Sequence, residues 1–506
     1  MLNPPAALPI VVPAQARATT GVAGLDNVLG GGLPTRHVYL VEGTPGAGKT
    51  TLGLQFLLAG RAEGDKGLYI TLSETAQELA IVAASHGWTL DGIEVFELVS
   101  EEGLSPDAEQ SILYTSEVEL GETTRAVMAA VERLKPTRLV FDSLSEMRML
   151  AQDPLRYRRQ ILALKHFFAS RNCTVLMLDD MSSEGGDLQL HSIAHGVIAL
   201  EQVVGDYGPV RRHLRVVKMR GVPYRGGAHD LTLDTGGIHV YPRLIAAEHR
   251  GDVASTPVGT GTPAFDRILG GGLSRGSNTL LIGPSGVGKT TTAMSAVVAA
   301  LKRGERVQYY LFDEGLGTLL HRCKALGMDV RPAIEEGRLR LMPLDPAEVS
   351  PGRFSNMVRH AVETDSAAMV VIDSLNAYMQ SMPGAKFLLL QMHELLSYLN
   401  QRGVVTLLVL GQHGLVGEGR SDVDLSYLSD AIVLYRFFES QGMLRKAMSV
   451  VKSRTNHHEL SIREFRLGQG GVEVGPPLTD FEGVLSGVPS YRGAIPMLGD
   501  RATASR

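Results

Sequence analysis

The stretch "GTPGAGKTT", Gly43 to Thr51, decides the reading of this chain, because "GPSGVGKTT" follows at Gly283 to Thr291. Both obey G-x-x-x-x-G-K-[ST]. Each comes after an apolar run that predicts a strand ("VYLVEG", "TLLIG") and before a stretch of helical spacing ("TTLGLQFLLAG", "TTTAMSAVVAALKRG"). That is the context a phosphate-binding loop requires. Glycine permits backbone angles closed to other residues, so successive amide N–H groups can point inward at phosphate oxygens, and the helix N-terminus beyond adds partial positive charge. A nucleoside triphosphate is therefore expected on Gly43, Thr44, Pro45, Gly46, Ala47, Gly48, Lys49, Thr50 and Thr51. A second is expected on Gly283, Pro284, Ser285, Gly286, Val287, Gly288, Lys289, Thr290 and Thr291. Lys49 and Lys289 would reach the terminal phosphates, and Thr50 and Thr290 would hold Mg2+.

Working outward from the loops, residues 20–51 align without gaps to residues 260–291, with identities on Thr, Gly, Asp, Leu and Lys and not merely on apolar positions. "RLVFDSLSE" (138–146) recurs as "MVVIDSLNA" (369–377), and "VVKMRG" (216–221) as "VVKSRT" (450–455). The chain is an internal duplication, and its 506 residues are too many for one ordinary core. The expected layout is an N-terminal extension (1–17), a first domain (18–247), a linker (248–257) where polar and Pro/Gly content rises, a second domain (258–485) and a mobile tail (486–506). "GLYITL", "RLVFD" and "TVLMLDD" in the first half, and "VQYYLF", "MVVID" and "VTLLVLG" in the second, predict buried strands alternating with helices. The fold class is α/β, with a mainly parallel sheet covered by helices in each half.

Composition narrows the function. With 44% apolar and 20% charged residues the chain reads as globular over most of its length, and a net charge of −5 argues against a surface built to neutralise nucleic-acid phosphates. The two cysteines, Cys173 and Cys323, lie one in each half and offer no metal-ligand spacing. The first residues lack a basic start, and no apolar stretch is long enough to span a bilayer, so a cytoplasmic location away from the membrane is expected.

Carboxylates complete the pattern. Asp142 and Asp373 each end an apolar strand at the edge where ligands of parallel sheets bind, in the manner of Walker B residues that hold the metal, if through water. A strand-end aspartate alone is also a common helix cap; matching distances after two phosphate loops favour the metal role. Glu74 in "YITLSET" and Glu314 in "YYLFDEG" follow the next strand, where a carboxylate can orient and deprotonate water beside the γ-phosphate.

These motifs, with "LDNVLGGGLP" and "FDRILGGGLS" upstream of the loops, resemble the KaiC family of circadian-clock ATPases over essentially the whole chain from about Thr20 to Tyr491. The resemblance implies two tandem RecA-like P-loop NTPase domains, ATP and Mg2+ as ligands, a homo-hexamer with nucleotide between subunits, and regulatory protein partners. It further implies that Lys218 and Arg220, and Lys452 and Arg454, reach the phosphates of the neighbouring subunit. It also implies serine/threonine autophosphorylation in the second domain. Counting back from "SDAIVLY", the acceptor positions fall on Ser426 and Tyr427, so Ser426 alone is retained as a candidate phosphosite. Where the family carries paired glutamates, this chain has Ser73-Glu74 and Asp313-Glu314. Two other readings remain open on the residues: a RecA- or RadA-like DNA-dependent ATPase, and a nucleotide-sensing scaffold with negligible turnover.

Overall fold

The computed structural model describes residues 15–98, 112–181, 188–204, 208–249, 251, 254–380, 385–412, 426–440, 442–485 and 490–491. Most of the N-terminal extension, parts of the linker and most of the tail lie outside the described residues. The chain forms two compact units that divide between Arg243 and Leu244.

In the first unit nine strands make one sheet: β1 (Val38–Gly43), β2 (Gly67–Thr71), β3 (Ile93–Glu97), β4 (Arg138–Asp142), β5 (Thr174–Asp180), β6 (Gly196–Val203), β7 (Arg211–Met219), β8 (Ala228–Asp234) and β9 (Gly237–Tyr241), in the spatial order β9-β8-β7-β6-β1-β5-β4-β2-β3. The strands from β6 across to β3 are parallel, and β7, β8 and β9 continue the sheet as an antiparallel meander. The parallel strands read as continuous apolar runs because both faces are buried: Tyr39, Val140 and Leu176 pack on one side, Leu40, Phe141 and Val175 on the other.

The second unit repeats the arrangement with β10 (Asn278–Pro284), β11 (Arg306–Leu311), β12 (Leu339–Pro343), β13 (Ala367–Asp373), β14 (Val405–Gln412), β15 (Ala431–Ser440), β16 (Met443–Ser453), β17 (Arg463–Gly468) and β18 (Gly471–Pro477), ordered β12-β11-β13-β14-β10-β15-β16-β17-β18. The antiparallel strands lie outside the runs that predict buried strands; the recurring "VVKMRG" and "VVKSRT" straddle the ends of β7 and β16. In each unit a helix leaves the loop, α1 (Lys49–Ala62) and α3 (Lys289–Lys302), and another follows the second strand, α2 (Ala76–Ser85) and α4 (Leu316–Ala325).

The upstream identities of the repeat are structural. Asp26 Oδ1 accepts from the Thr20 amide at 3.0 Å and its hydroxyl at 2.8 Å; Asp266 Oδ1 does the same for Thr260, at 2.7 Å each. Both pairs close the turn that carries the chain toward the loop strand. Around the linker, Leu244 and Ala246 belong to the second unit's core. Near the C-terminus Ser490–Tyr491 pairs antiparallel with Phe481–Glu482. Cys173 and Cys323 are free and buried. No helix among the described residues is long and apolar enough to cross a membrane.

Candidate active site

Each loop strand lies in the middle of its sheet, and the loop leaves its carboxyl end. Gly43 approaches β6 so closely that a side-chain carbon there would meet the Leu200 carbonyl oxygen at 2.5 Å; at Gly283 the Tyr435 carbonyl oxygen would lie at 2.6 Å. Gly48 and Gly288, the N-caps of α1 and α3, have φ of 106° and 123°, a region that disfavours any side chain. The loop glycines are therefore demanded by backbone geometry, and both helices open their unsatisfied N–H groups toward the loop with no side-chain cap.

The two lysines differ in their surroundings. Lys49 Nζ donates to the carbonyls of Gly43 (2.9 Å) and Thr44 (3.1 Å) and pairs with Asp180 Oδ1 at 2.7 Å. Lys289 Nζ donates to the carbonyls of Gly283 and Pro284, both at 2.8 Å. In strand register Gly43 stands opposite Asp180, whereas Gly283 stands opposite Gly411, so the second loop has no acid at that place. Burial pushes the Lys289 ammonium down to about 8, with Asp373 and Asp313 pulling the other way.

Asp142 ends β4, separated from the loop strand by β5 alone, and Asp373 is its counterpart on β13. Thr50 Oγ1 donates to Asp142 Oδ2 at 3.4 Å, and the Thr290 hydroxyl hydrogen-bonds Asp373. A hydroxyl and a carboxylate beside a phosphate loop fit Mg2+, a hard cation that takes few protein oxygens and fills its shell with phosphate and water. Each aspartate also accepts a phenol: Tyr69 Oη at 2.5 Å from Asp142 Oδ2, and Tyr309 Oη at 2.8 Å from Asp373 Oδ2. Burial raises both carboxyls, and these hydrogen bonds oppose it.

Glu74 and Glu314 stand at matching places and are held differently. The Glu74 amide donates to Thr71 Oγ1 at 2.9 Å, and Oε2 is buried with no hydrogen-bond partner among the described residues. Burial raises its carboxyl above the ordinary range, and the charges of Asp142 and Glu78 add to the shift. Glu314 instead accepts both guanidinium nitrogens of Arg322, at 2.8 and 2.7 Å. Beside it, Ser374 donates to Asp313, the position that is Ser73 in the first half.

The remaining cations lie elsewhere. Lys218, near the end of the antiparallel β7, faces Val197 at the start of β6, whereas the loop strand ends at Gly43 opposite Leu200. That offset is roughly 10 Å along the strands, toward their amino ends. Lys218 Nζ donates to the carbonyls of His191 and Ala194, and Arg220 to that of Ser192 at 2.8 Å. In the second unit Lys452 faces Ile432, which pairs with Leu280 near the start of β10, and Arg454 reaches Asp430 at 3.7 Å and the Tyr427 carbonyl at 3.4 Å. Ser426 opens the short 3-10 turn Ser426–Leu428 just before β15. The structure thus gathers loop, Thr, Asp and Glu at one edge of each sheet, and leaves the Lys-x-Arg pairs and Ser426 at the other.

Sequence reasoning passed over Asp180, Arg322, Tyr69 and Tyr309. Asp180 carried a signal, as an acid ending the apolar run "TVLMLDD"; the others depend on register or on a helix folding back.

Two glycine loops on two mainly parallel sheets, each with a buried aspartate ending the strand one beyond its neighbour, define a tandem RecA-like P-loop NTPase. The sequence model of the family described as "ATPase: KaiC" matches residues 18–245 and 258–479, and the chain belongs to that family. It is 26% identical over 478 residues to the "Circadian clock protein KaiC3" of Synechocystis sp., covering 93% of this chain and 94% of that protein. It is also 26% identical over 493 residues to the "Circadian clock oscillator protein KaiC" of Synechococcus elongatus, covering 94% and 92%.

Proposed function

We propose that this KaiC-family ATPase binds Mg2+ and ATP at both loops and hydrolyses ATP at the interfaces of a homo-hexameric ring, acting in signalling or clock-like regulation. Glu74 and Glu314 orient water, Lys49 and Lys289 bind the terminal phosphates, and Lys218, Arg220, Lys452 and Arg454 complete a neighbouring copy's site. Thr50 and Thr290 would hold Mg2+, with Asp142 and Asp373 reaching it through water, and the bound ion would supply positive charge against the phosphates. The observation that carries this reading is the register just described: in both halves the Lys-x-Arg pair lies at the amino edge of the sheet, away from its own loop. A cation supplied in trans contributes on the order of 10³ to 10⁵ in rate, so assembly becomes a condition of turnover.

Ser426 shares the amino edge with Lys452 and Arg454, so the contact that delivers those cations also brings a hydroxyl toward the neighbour's ATP; this supports autophosphorylation at Ser426. For the second half a specific observation favours nucleotide sensing with little hydrolysis, namely the two bonds by which Arg322 engages Glu314. Native mass measurement with and without MgATP, followed by phosphosite mapping of the same sample, tests the proposal. A hexamer that depends on nucleotide and carries phosphate at Ser426 is expected; a monomer indifferent to millimolar ATP would refute the ring reading.

A further inference from the structure

Tyr69 and Tyr309 are fully buried, in different units, and each spends its hydroxyl on the same oxygen of the corresponding aspartate. The register explains the meeting. Thr71 pairs with Asp142 and Leu311 with Asp373 across adjacent parallel strands. Each tyrosine stands two residues earlier, on the same face, so its side chain lies diagonal to the aspartate and a long ring spans the gap. Tyr310, the next residue, faces the opposite core and donates to neither aspartate. Asp142 and Asp373 are themselves only 8% and 7% exposed, and a buried carboxylate needs donors fixed by the protein because water does not supply them. In each unit the phenol supplies one such donor, and the threonine that follows the loop lysine supplies another.

We infer that Tyr69 and Tyr309 are positioning residues: each donates its phenol O–H to Oδ2 of Asp142 or Asp373 and holds that carboxylate beside Thr50 or Thr290, ready for the Mg2+ of the bound nucleotide. The inference rests on the proposed metal role of the two aspartates. The tyrosines touch neither substrate nor metal; they act through the carboxylate. A satisfied core tyrosine with no such role would matter to folding alone, and the two cases separate by measuring metal binding.

The test uses the full chain with a slowly hydrolysed ATP analogue, titrating Mn2+ by electron paramagnetic resonance. Tyr69→Phe and Tyr309→Phe, each removing one hydroxyl, should lower Mn2+ affinity at their own site by about threefold to tenfold. The Mg2+ concentration for half-maximal turnover should rise by the same factor, while KM for ATP at saturating metal stays within about twofold. In an Asp142→Asn background, Tyr69→Phe should add nothing; an additive loss would mean a general packing defect and overturn the inference. Unchanged Mn2+ affinity in the phenylalanine variants, with Asp142→Asn weakening it, overturns this inference alone. If Asp142→Asn also binds Mn2+ like the wild type, the metal reading of the aspartates falls and takes the inference with it. Should a phenylalanine variant fail to fold, 3-fluorotyrosine incorporated into the wild-type chain provides the measurement: its more acidic phenol should move Mn2+ affinity, and no shift overturns the proposal.

Discussion

Lys49 and Lys289 occupy the same place in the repeated motif, yet one meets an acid and the other does not. Asp180 neutralises Lys49 at 2.7 Å, whereas Lys289, 8% exposed, has two carbonyls as its acceptors and titrates near 8. An unfolded lysine titrates near 10.4, so between these values the fold binds fewer protons than the unfolded chain. Stability of the nucleotide-free second unit therefore rises with pH across that window, and below about 8 the charged, buried ammonium costs stability. A bound triphosphate restores the proton, drawn from solution, because its negative charge adds to the pull of Asp373 and Asp313 and offsets the burial that holds the ammonium down. Binding at pH 8 should thus take up about half a proton at this lysine. Calorimetry of a Lys49→Ala chain in buffers of different ionisation enthalpy measures that uptake, and Lys289→Arg, which stays charged, should abolish it. Equal uptake in both chains would count against the electrostatic account.

The same contrast extends to the helices behind the glutamates. Helix α2 starts with a capping box, in which Thr75 accepts from the Glu78 amide at 3.2 Å and Glu78 accepts from the Thr75 amide at 2.8 Å. Helix α4 has Gly315 as its N-cap and no side-chain cap, and Arg322, about two turns on, reaches back to Glu314. Counting from the first residue of each helix, Arg322 stands where α2 has Val82. Replacing Arg322 with Val should release Glu314 and raise second-half turnover by roughly threefold to tenfold, a pair this exposed being worth less than a buried one. Phosphate release from a chain also carrying Glu74→Gln reads this directly; unchanged or lower release would show that Arg322 does not restrain Glu314. The glycine loops and buried strands were legible in the sequence because they answer to local backbone demands and to a continuous apolar pattern. The ties of Arg322 to Glu314, Lys49 to Asp180 and Tyr69 to Asp142 were not, because each joins elements whose adjacency exists only once the sheet order and register are set. The antiparallel meander escaped for a related reason: its strands carry charged residues such as Arg211, Arg212, Arg215 and Lys218 and lack the apolar run that marks the parallel core.

At the scale of the whole molecule the two edges of each sheet divide the proposed labour: the carboxyl edge grips nucleotide, and the amino edge offers cations to another copy. A pair of inactive chains should therefore rescue each other. Let one carry Lys49→Ala and the other Lys218→Ala with Arg220→Ala, both with Glu314→Gln so that the first-half sites alone are read. Alone, each ring lacks either a gripping lysine or the trans cations at every first-half site. Co-expressed in equal amounts and mixed at random around a ring, about a quarter of the sites pair an intact loop with intact cations from the next copy. Turnover should recover to about that share of the Glu314→Gln chain, because the missing cations cost several orders of magnitude and a restored site regains them. Mixed rings confirmed by native mass but as inactive as either parent would mean that Lys218 and Arg220 serve no neighbouring phosphate. The amino edge would then have to be read as structural, through the carbonyls of His191, Ala194 and Ser192 that those side chains already hold.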